Sequence, residues 1–470
     1  MKKFINRLVS FSIGPILGAV ISFASVPITT YFINPHEFGK ASMFTVVQTL
    51  IITFIYLGID QSYAREYNFS DNKKKLFMNA LIMPVSFSVL ISIIICFFQE
   101  DFSRILFNSS EYKEISYLFS IMLVFSVFER FFLLSIRMEE RALEYSAFSI
   151  FVKLTIFLCT LFLIATGRRD FSTIVYSTII GQLIGDIFLF IKHRRLFIFK
   201  LDFFDIRLIK KMIVFGVPLV LAASVNSLLN SNGRLFLRGN STYYDLGIYD
   251  AALKVANMLQ IVQTAFTSFW VPTAYRWNKE QKSLKHFSFI GDFLLLVMTI
   301  LFFLLLLCKN LIVLLLSVKY VETQYIIGLL ALAPILYTIS ETTTLGIPFS
   351  GKSYYNIFVS IISVVPNIIL NYILVPNYGV RGAAISAAVA YILFCISRTF
   401  FSRKCGFRVS FKKQIFNIIC FFLAAIVNSF SGKLPFFITF FIMIISLGSQ
   451  ISTINTAIKI RKSPSDWDFS

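Results

Sequence analysis

The feature that most constrains this chain is a series of apolar stretches, each about 20 residues long and nearly free of charge, separated by short polar segments. They lie near residues 11–33, 41–59, 78–98, 116–135, 146–166, 172–191, 212–232, 247–270, 287–308, 325–345, 355–375, 381–401, 414–430 and 434–458. Read as helix, each is long enough to cross the roughly 30 Å hydrocarbon core of a bilayer. Composition agrees: 57% of the 470 residues are hydrophobic and 14% are charged, against about 25% charged in a soluble domain. A soluble enzyme and a disordered chain are excluded. The expected fold is an all-α integral membrane protein with about 14 transmembrane helices, or about 12 if the C-terminal pair and the short gap near Asn377 are discounted.

Lys and Arg outnumber Asp and Glu by 44 to 24, a formal charge of +20. The surplus gathers in Lys2–Arg7, Arg65–Lys75, Arg137–Arg141, Lys192–Lys211, Arg276–Lys285, Arg403–Lys413 and Lys459–Lys462. With the N-terminus in the cytoplasm all of these face inward, giving a basic bias of roughly three to one. The surplus therefore reads as topology, with both termini cytoplasmic, and nucleic acid is not an expected partner. The six cysteines form no CxxC and the three histidines cluster with nothing, so neither a disulfide framework nor a metal site is expected. The opening MKKFINRLVS carries no evident cleavage site and reads as the start of an uncleaved first helix. No segment outside the spans is long enough to fold alone. The longest inner one, Lys192–Lys211, places Leu201, Phe204 and Leu208 on one helical face and predicts an amphipathic helix on the cytoplasmic leaflet.

The second half restarts like the first. FSIGPILGAV (11–20) corresponds to FGVPLVLAAS (215–224), and EFGKASMF (37–44) to DLGIYDAA (245–252). About six helices separate the copies, an even number, so they share one orientation, as in parallel internal repeats. The expected domains are a six-helix bundle over 1–195, a linker over 196–211, a second bundle over 212–402, and a helix pair with a tail over 403–470. Pro15 and Pro218 occupy matched positions early in a span and are the candidate hinges. Two bundles enclosing a cavity are a transporter plan.

GPILGAVISFASVPITTYFINPHEFGKASMF, YLGIDQSYAREY (56–67), GIYDAALKVANMLQIVQTAFTSFWVPTAY (247–275) and VPNYGVRGAAISAAVAY (375–391) resemble segments of the bacterial O-antigen (Wzx-type) repeat-unit flippases. These belong to the multidrug/oligosaccharidyl-lipid/polysaccharide exporter superfamily. The resemblance implies a flippase in the bacterial cytoplasmic membrane that moves an undecaprenyl-pyrophosphate-linked oligosaccharide outward by ion-coupled alternating access. It implies no catalytic residue and no cofactor beyond a coupling H⁺ or Na⁺. Membrane lipid, a polysaccharide polymerase and chain-length machinery are the implied partners. Gly233 stands before Arg234, where that family often carries an acid. The rivals are a drug or cation antiporter of the same superfamily and a polysaccharide polymerase or membrane glycosyltransferase. The first would want an acidic cavity, and the second a larger outer loop.

An ionisable residue at the centre of a span costs about 2.5–3.5 kcal/mol by insertion scales. Lys153, Lys254, Arg234, Arg65 and Arg130 are the candidate cations for a pyrophosphate. Asp60, Glu129, Asp250 and Glu341 are the candidate ion-coupling acids. The competing reading is structural: Asp250 and Lys254 are spaced to pair along one helix, and Arg276, Arg398 and Asp186 lie near span ends, where they are expected to pair or snorkel.

Overall fold

A computed structural model describes residues 2–67, 69–196, 201–432 and 434–462. Among these every element is helical: α1 (Lys2–Phe32), α2 (Pro35–Ile55), α3 (Ile59–Tyr67), α4 (Lys73–Phe97), α5 (Gln99–Phe107), α6 (Lys113–Met138), α7 (Ala142–Ala165), α8 (Phe171–His193), α9 (Ile206–Asn240), α10 (Tyr243–Ala256), α11 (Leu259–Lys279), α12 (Leu284–Leu307), α13 (Lys309–Leu316), α14 (Ile327–Thr343), α15 (Gly346–Phe349), α16 (Tyr355–Lys404), α17 (Lys412–Val427), α18 (Leu434–Gly448) and α19 (Ile451–Lys462). Single-turn 3₁₀ segments cover Arg194–Leu196 and Leu201–Phe203, and a longer one covers Val318–Tyr325.

Each apolar block falls on helix, but not always on one unbroken rod. Among the described residues seven helices are long and apolar enough to cross a membrane, or up to nine if each bent pair is one span. The block at 247–270 divides between α10 and α11, where the amides of Met258, Gln260 and Ile261 bond three residues back instead of four. The 50-residue α16 holds two blocks and breaks at Gly379, whose φ of 51° and ψ of −126° only glycine adopts readily.

The chain forms two compact units, Met1–Ser231 and Asn232–Ser470, which divide inside α9. In the first, α7 is held by close approaches on two sides. A Cβ on Gly14 of α1 would fall within 2.7 Å of the Ser146 Cβ, and one on Gly181 of α8 within 2.6 Å of the Ile156 Cα. Gly14/Gly18 and Gly181/Gly185 are both small-xxx-small pairs, the spacing that lets membrane helices pack backbone to backbone. In the second unit α14 is the core helix, packed against α10, α11, α12, α16 and α17. Trp270, Trp277, Phe287, Phe349 and Phe407 fill the space below it as an edge-to-face aromatic cluster.

The amphipathic helix expected over Lys192–Lys211 is corrected among the described residues. Leu201–Phe203 is one 3₁₀ turn, and Leu208 belongs to the first turn of α9, which runs on through Asn240. The segment is fixed by polar groups instead of an apolar face. Asn79 Nδ2 donates to the Phe203 carbonyl at 2.6 Å and the Asp205 amide donates to Asn79 Oδ1 at 2.9 Å. Lys75 closes the clamp on Asp205 at 2.8 Å. Pro218 lies within α9 and is exposed. Pro15 lies in α1, but its side chain is outside the described residues, as is the tail 463–470.

Candidate functional site

The charges inside the first unit converge from four helices, α3, α6, α7 and α8. α2 ends at Tyr56, and the next two residues, Leu57 (φ 49°) and Gly58 (φ 66°), are left-handed. Two such residues in succession stop the helix and restart it as α3, which turns Asp60 into the bundle. There Asp60 accepts from Arg130 of α6, Nη2 at 2.6 Å and Nε at 3.2 Å. The guanidinium also lies 5.5 Å from the Tyr56 ring centroid.

Glu129 and Arg130 are adjacent in sequence, so on a helix they point about 100° apart. Arg130 turns to α3, whereas Glu129 turns to α8. Gln182 of α8 donates through Nε2 to Glu129 Oε2 at 2.9 Å and to Asp186 Oδ1 at 2.8 Å. One amide thus serves two carboxylates. Asp186 is buried, and its second oxygen, Oδ2, makes no hydrogen bond among the described residues. Gln182 and Asp186 each follow one of the glycines that seat α8 on α7, so the helix contact fixes their depth. Lys153 of α7 is near enough to Glu129 to interact with it electrostatically. Its stem packs against α1, where a Cβ on Gly18 would lie 3.3 Å from the Lys153 Cγ.

The second unit arranges its charges differently. Arg234 Nη1 lies 3.2 Å from Asp250 Oδ1, and Lys254 Nζ lies 3.5 Å from Oδ2 of the same residue. The sequence pairing of Asp250 with Lys254 is present, with Arg234 as a closer and more buried partner. Gly233, in place of an acid, makes room for Tyr249: a Cβ there would lie 2.7 Å from the phenol oxygen. Glu341 accepts from Arg398 at 2.8 Å, and Arg398 also donates to Ser340 Oγ at 2.8 Å. Asn232 donates to Asn367 Oδ1 at 2.7 Å in the interior of the same unit.

The structure therefore brings Asp60, Glu129, Arg130 and Lys153 together, and separately Arg234, Asp250 and Lys254. Glu341 stands with Arg398, and Arg65 stands at the end of α3 beside the start of α9. Gln182 was not among the sequence candidates, and Asp186 was read there as a structural residue near a span end. The signal was the GQLIGD run itself, which sets an amide and an acid one turn apart behind two packing glycines. Among the described residues no group of three or more His, Cys, Asp or Glu is placed to hold a metal ion.

Comparison with known proteins places these elements in a context. The family described as polysaccharide biosynthesis protein matches residues 7–278. The capsular polysaccharide biosynthesis protein CapF of Staphylococcus aureus is 24% identical over 205 residues, 42% of this chain and 50% of that relative, so the chain spans half the relative's length. Among solved structures, the lipid II flippase MurJ in an inward closed conformation matches with a TM-score of 0.66 at 16% identity, over 97% of this chain and 99% of that one. An inward-facing multidrug resistance MATE family transporter of the MOP superfamily matches with a TM-score of 0.64 at 15% identity, over 82% of this chain and 94% of that one. At such identities the likeness is one of fold.

Proposed function

The chain belongs to the polysaccharide biosynthesis protein family, and from that premise we propose that it is a flippase for a polyprenyl-pyrophosphate-linked oligosaccharide in surface-polysaccharide assembly, driven by an ion gradient from the cytoplasmic to the outer leaflet. The observation that carries the reading is the polar cluster of Asp60, Arg130, Glu129, Gln182, Asp186 and Lys153 within the otherwise apolar helices of the first unit. Intramembrane charges that do not simply neutralise one another mark substrate or ion pathways. The fold shared with the lipid II flippase MurJ supports the same reading.

The roles follow from which charges are already satisfied. Arg130 is half committed to Asp60, and its side chain keeps 40% exposure. Lys153 is exposed and has no carboxylate within salt-bridge distance among the described residues. These two offer positive charge to a pyrophosphate, which a dry apolar passage without cations would exclude. Ion coupling falls to Glu129 and Asp186. Asp60, Asp250 and Glu341 each hold a guanidinium, whereas Glu129 and Asp186 share one neutral amide donor and are left to take up a proton or cation.

The test is a deletion strain in which the sidedness of lipid-linked repeat units is measured by accessibility to a membrane-impermeant glycosidase. Units that accumulate on the cytoplasmic side, with none reaching the surface, are the expected result. Single units that still reach the surface unpolymerised would make the protein a polymerase instead.

A further inference from the structure

Outside the polar cluster, a basic pocket lies between the end of α3 away from Asp60 and the first turns of α9. It has a volume of about 560 Å³ and is lined by Ser62, Arg65, Glu66, Arg207, Lys210, Lys211, Met212, Val214 and Phe215. The two helices that form it are fixed together. A Cβ on Gly58 would collide with the Gly216 carbonyl, and Ser62 Oγ donates to the Met212 carbonyl at 2.7 Å. Asp205, clamped by Lys75, accepts from the amides of Arg207 and Leu208 and so sets where α9 begins.

Four cations face one acid here. Lys211 takes Glu66 at 2.6 Å. Arg65 lies over the Phe215 ring, 4.4 Å from its centroid, with no carboxylate partner among the described residues, and Arg207 and Lys210 have no ion pair among them either. The pocket thus carries three uncompensated positive charges. One wall is apolar and open, with Val214 67% and Phe215 36% exposed. A charged rim beside an exposed apolar wall suits an amphiphile whose head is anionic and whose body lies in the bilayer. Three charges match a diphosphate better than the single charge of a phosphodiester.

We propose that this pocket binds the diphosphate headgroup of a membrane lipid, as a docking site distinct from the polar cluster where Arg130 and Lys153 lie. The identity of that lipid as the transported substrate rests on the flippase reading; the binding chemistry does not. Arg65 and Arg207 bracket the diphosphate from the two helices, Lys210 adds the third charge, and the prenyl chain leaves along Val214 and Phe215.

The test uses the full-length protein in detergent, with native mass spectrometry titrations of farnesyl pyrophosphate, dioctanoyl phosphatidylglycerol and inorganic pyrophosphate. Farnesyl pyrophosphate is expected to saturate one site at least about tenfold more tightly than either other probe. The R207Q/K210Q variant should lose about tenfold in that affinity, R207K/K210R should keep it, and E66Q, which frees Lys211, should bind more tightly. Equal binding of phosphatidylglycerol would overturn the diphosphate assignment. Equal binding of inorganic pyrophosphate would overturn the lipid. Unchanged affinity in R207Q/K210Q would overturn the site. Because binding is read without transport, any of these outcomes leaves the deletion-strain result standing, and a failed flippase reading leaves the binding result standing.

Discussion

Both units are helical throughout their described residues, but they treat buried charge in opposite ways. In the second unit the carboxylates of Asp250 and Glu341 are each closed by an arginine whose side chain is nearly as buried as the acid, 11% exposed for Arg234 and 13% for Arg398. In the first unit Arg130 stays 40% exposed, Lys153 is exposed, and Glu129 and Asp186 share a neutral amide. The difference separates charge that holds helices together from charge left available. Removing one partner of a closed buried pair strands the other, whereas changing an open group alters what the site can bind.

The largest expected effect follows from that contrast. Arg398→Ala leaves Glu341 buried against Tyr337 and Trp270 with its guanidinium gone. It should destabilise the protein by about 3–5 kcal/mol, the usual cost of breaking a buried ion pair from one side. The double change Glu341→Gln with Arg398→Met should recover most of that loss. Arg130→Ala breaks a bond of similar length to a similarly buried acid, but the Arg130 side chain is 40% exposed, so about 1–2 kcal/mol is expected. Thermal unfolding of the two variants in the same detergent measures the difference. Equal losses would mean that the units do not differ in how they hold charge.

Much of this plan was legible in the sequence, and the illegible part has a physical pattern. Twenty-residue apolar runs identified the helices because bilayer thickness admits little else. The breaks were harder. Gly379 is a glycine at a turn, but the stop at Leu57 rests on a non-glycine residue with positive φ, which composition does not announce. Intramembrane charges were found from their cost, yet their partners were not. Arg398, near a span end, reads as a snorkelling residue, and only the fold brings it to Glu341, 57 positions earlier. Gln182 carries no charge and so raised no alarm, although it is the residue that joins Glu129 to Asp186. The glycine pairs that seat α7 between α1 and α8 were visible as spacing but gave no indication of which helices they would join.

A sharper comparison comes from the open acids themselves. Glu129→Gln and Asp186→Asn each keep the shape of the side chain, and neither acid is within salt-bridge distance of a cation among the described residues. Stability should stay within about 0.5 kcal/mol of the parent. Transport in proteoliposomes under an imposed pH or sodium gradient should fall about tenfold or more, while gradient-independent equilibration across the membrane is retained. A gradient response unchanged in both variants would remove ion coupling from this pair. A large loss of stability would instead place Glu129 and Asp186 with the closed pairs of the second unit.

The smallest effect lies where α9 begins. Asp205 is half-buried, and the hydrogen bond from Lys75, followed by that from the Leu208 amide, holds its carboxyl below the ordinary aspartate range. A carboxyl whose folded value is depressed contributes its stabilisation fully above the unfolded value and loses it as the pH falls through the folded one. The clamp on the 3₁₀ turn and the first turn of α9 should therefore hold at neutral pH and loosen only under acid conditions, below the usual titration of an aspartate. Amide hydrogen exchange at Arg207 and Leu208, whose N–H groups bond to Asp205, is the direct readout. Corrected for the intrinsic pH dependence of exchange, protection there should drop as Asp205 protonates, and Asp205→Asn should flatten the dependence. The same comparison at the amides of Thr343 and Thr344 in the second unit, where no comparable carboxylate supports the helix end, should show no such drop. If both ends lost protection together, the acid response would be global unfolding and would say nothing about the Asp205 clamp.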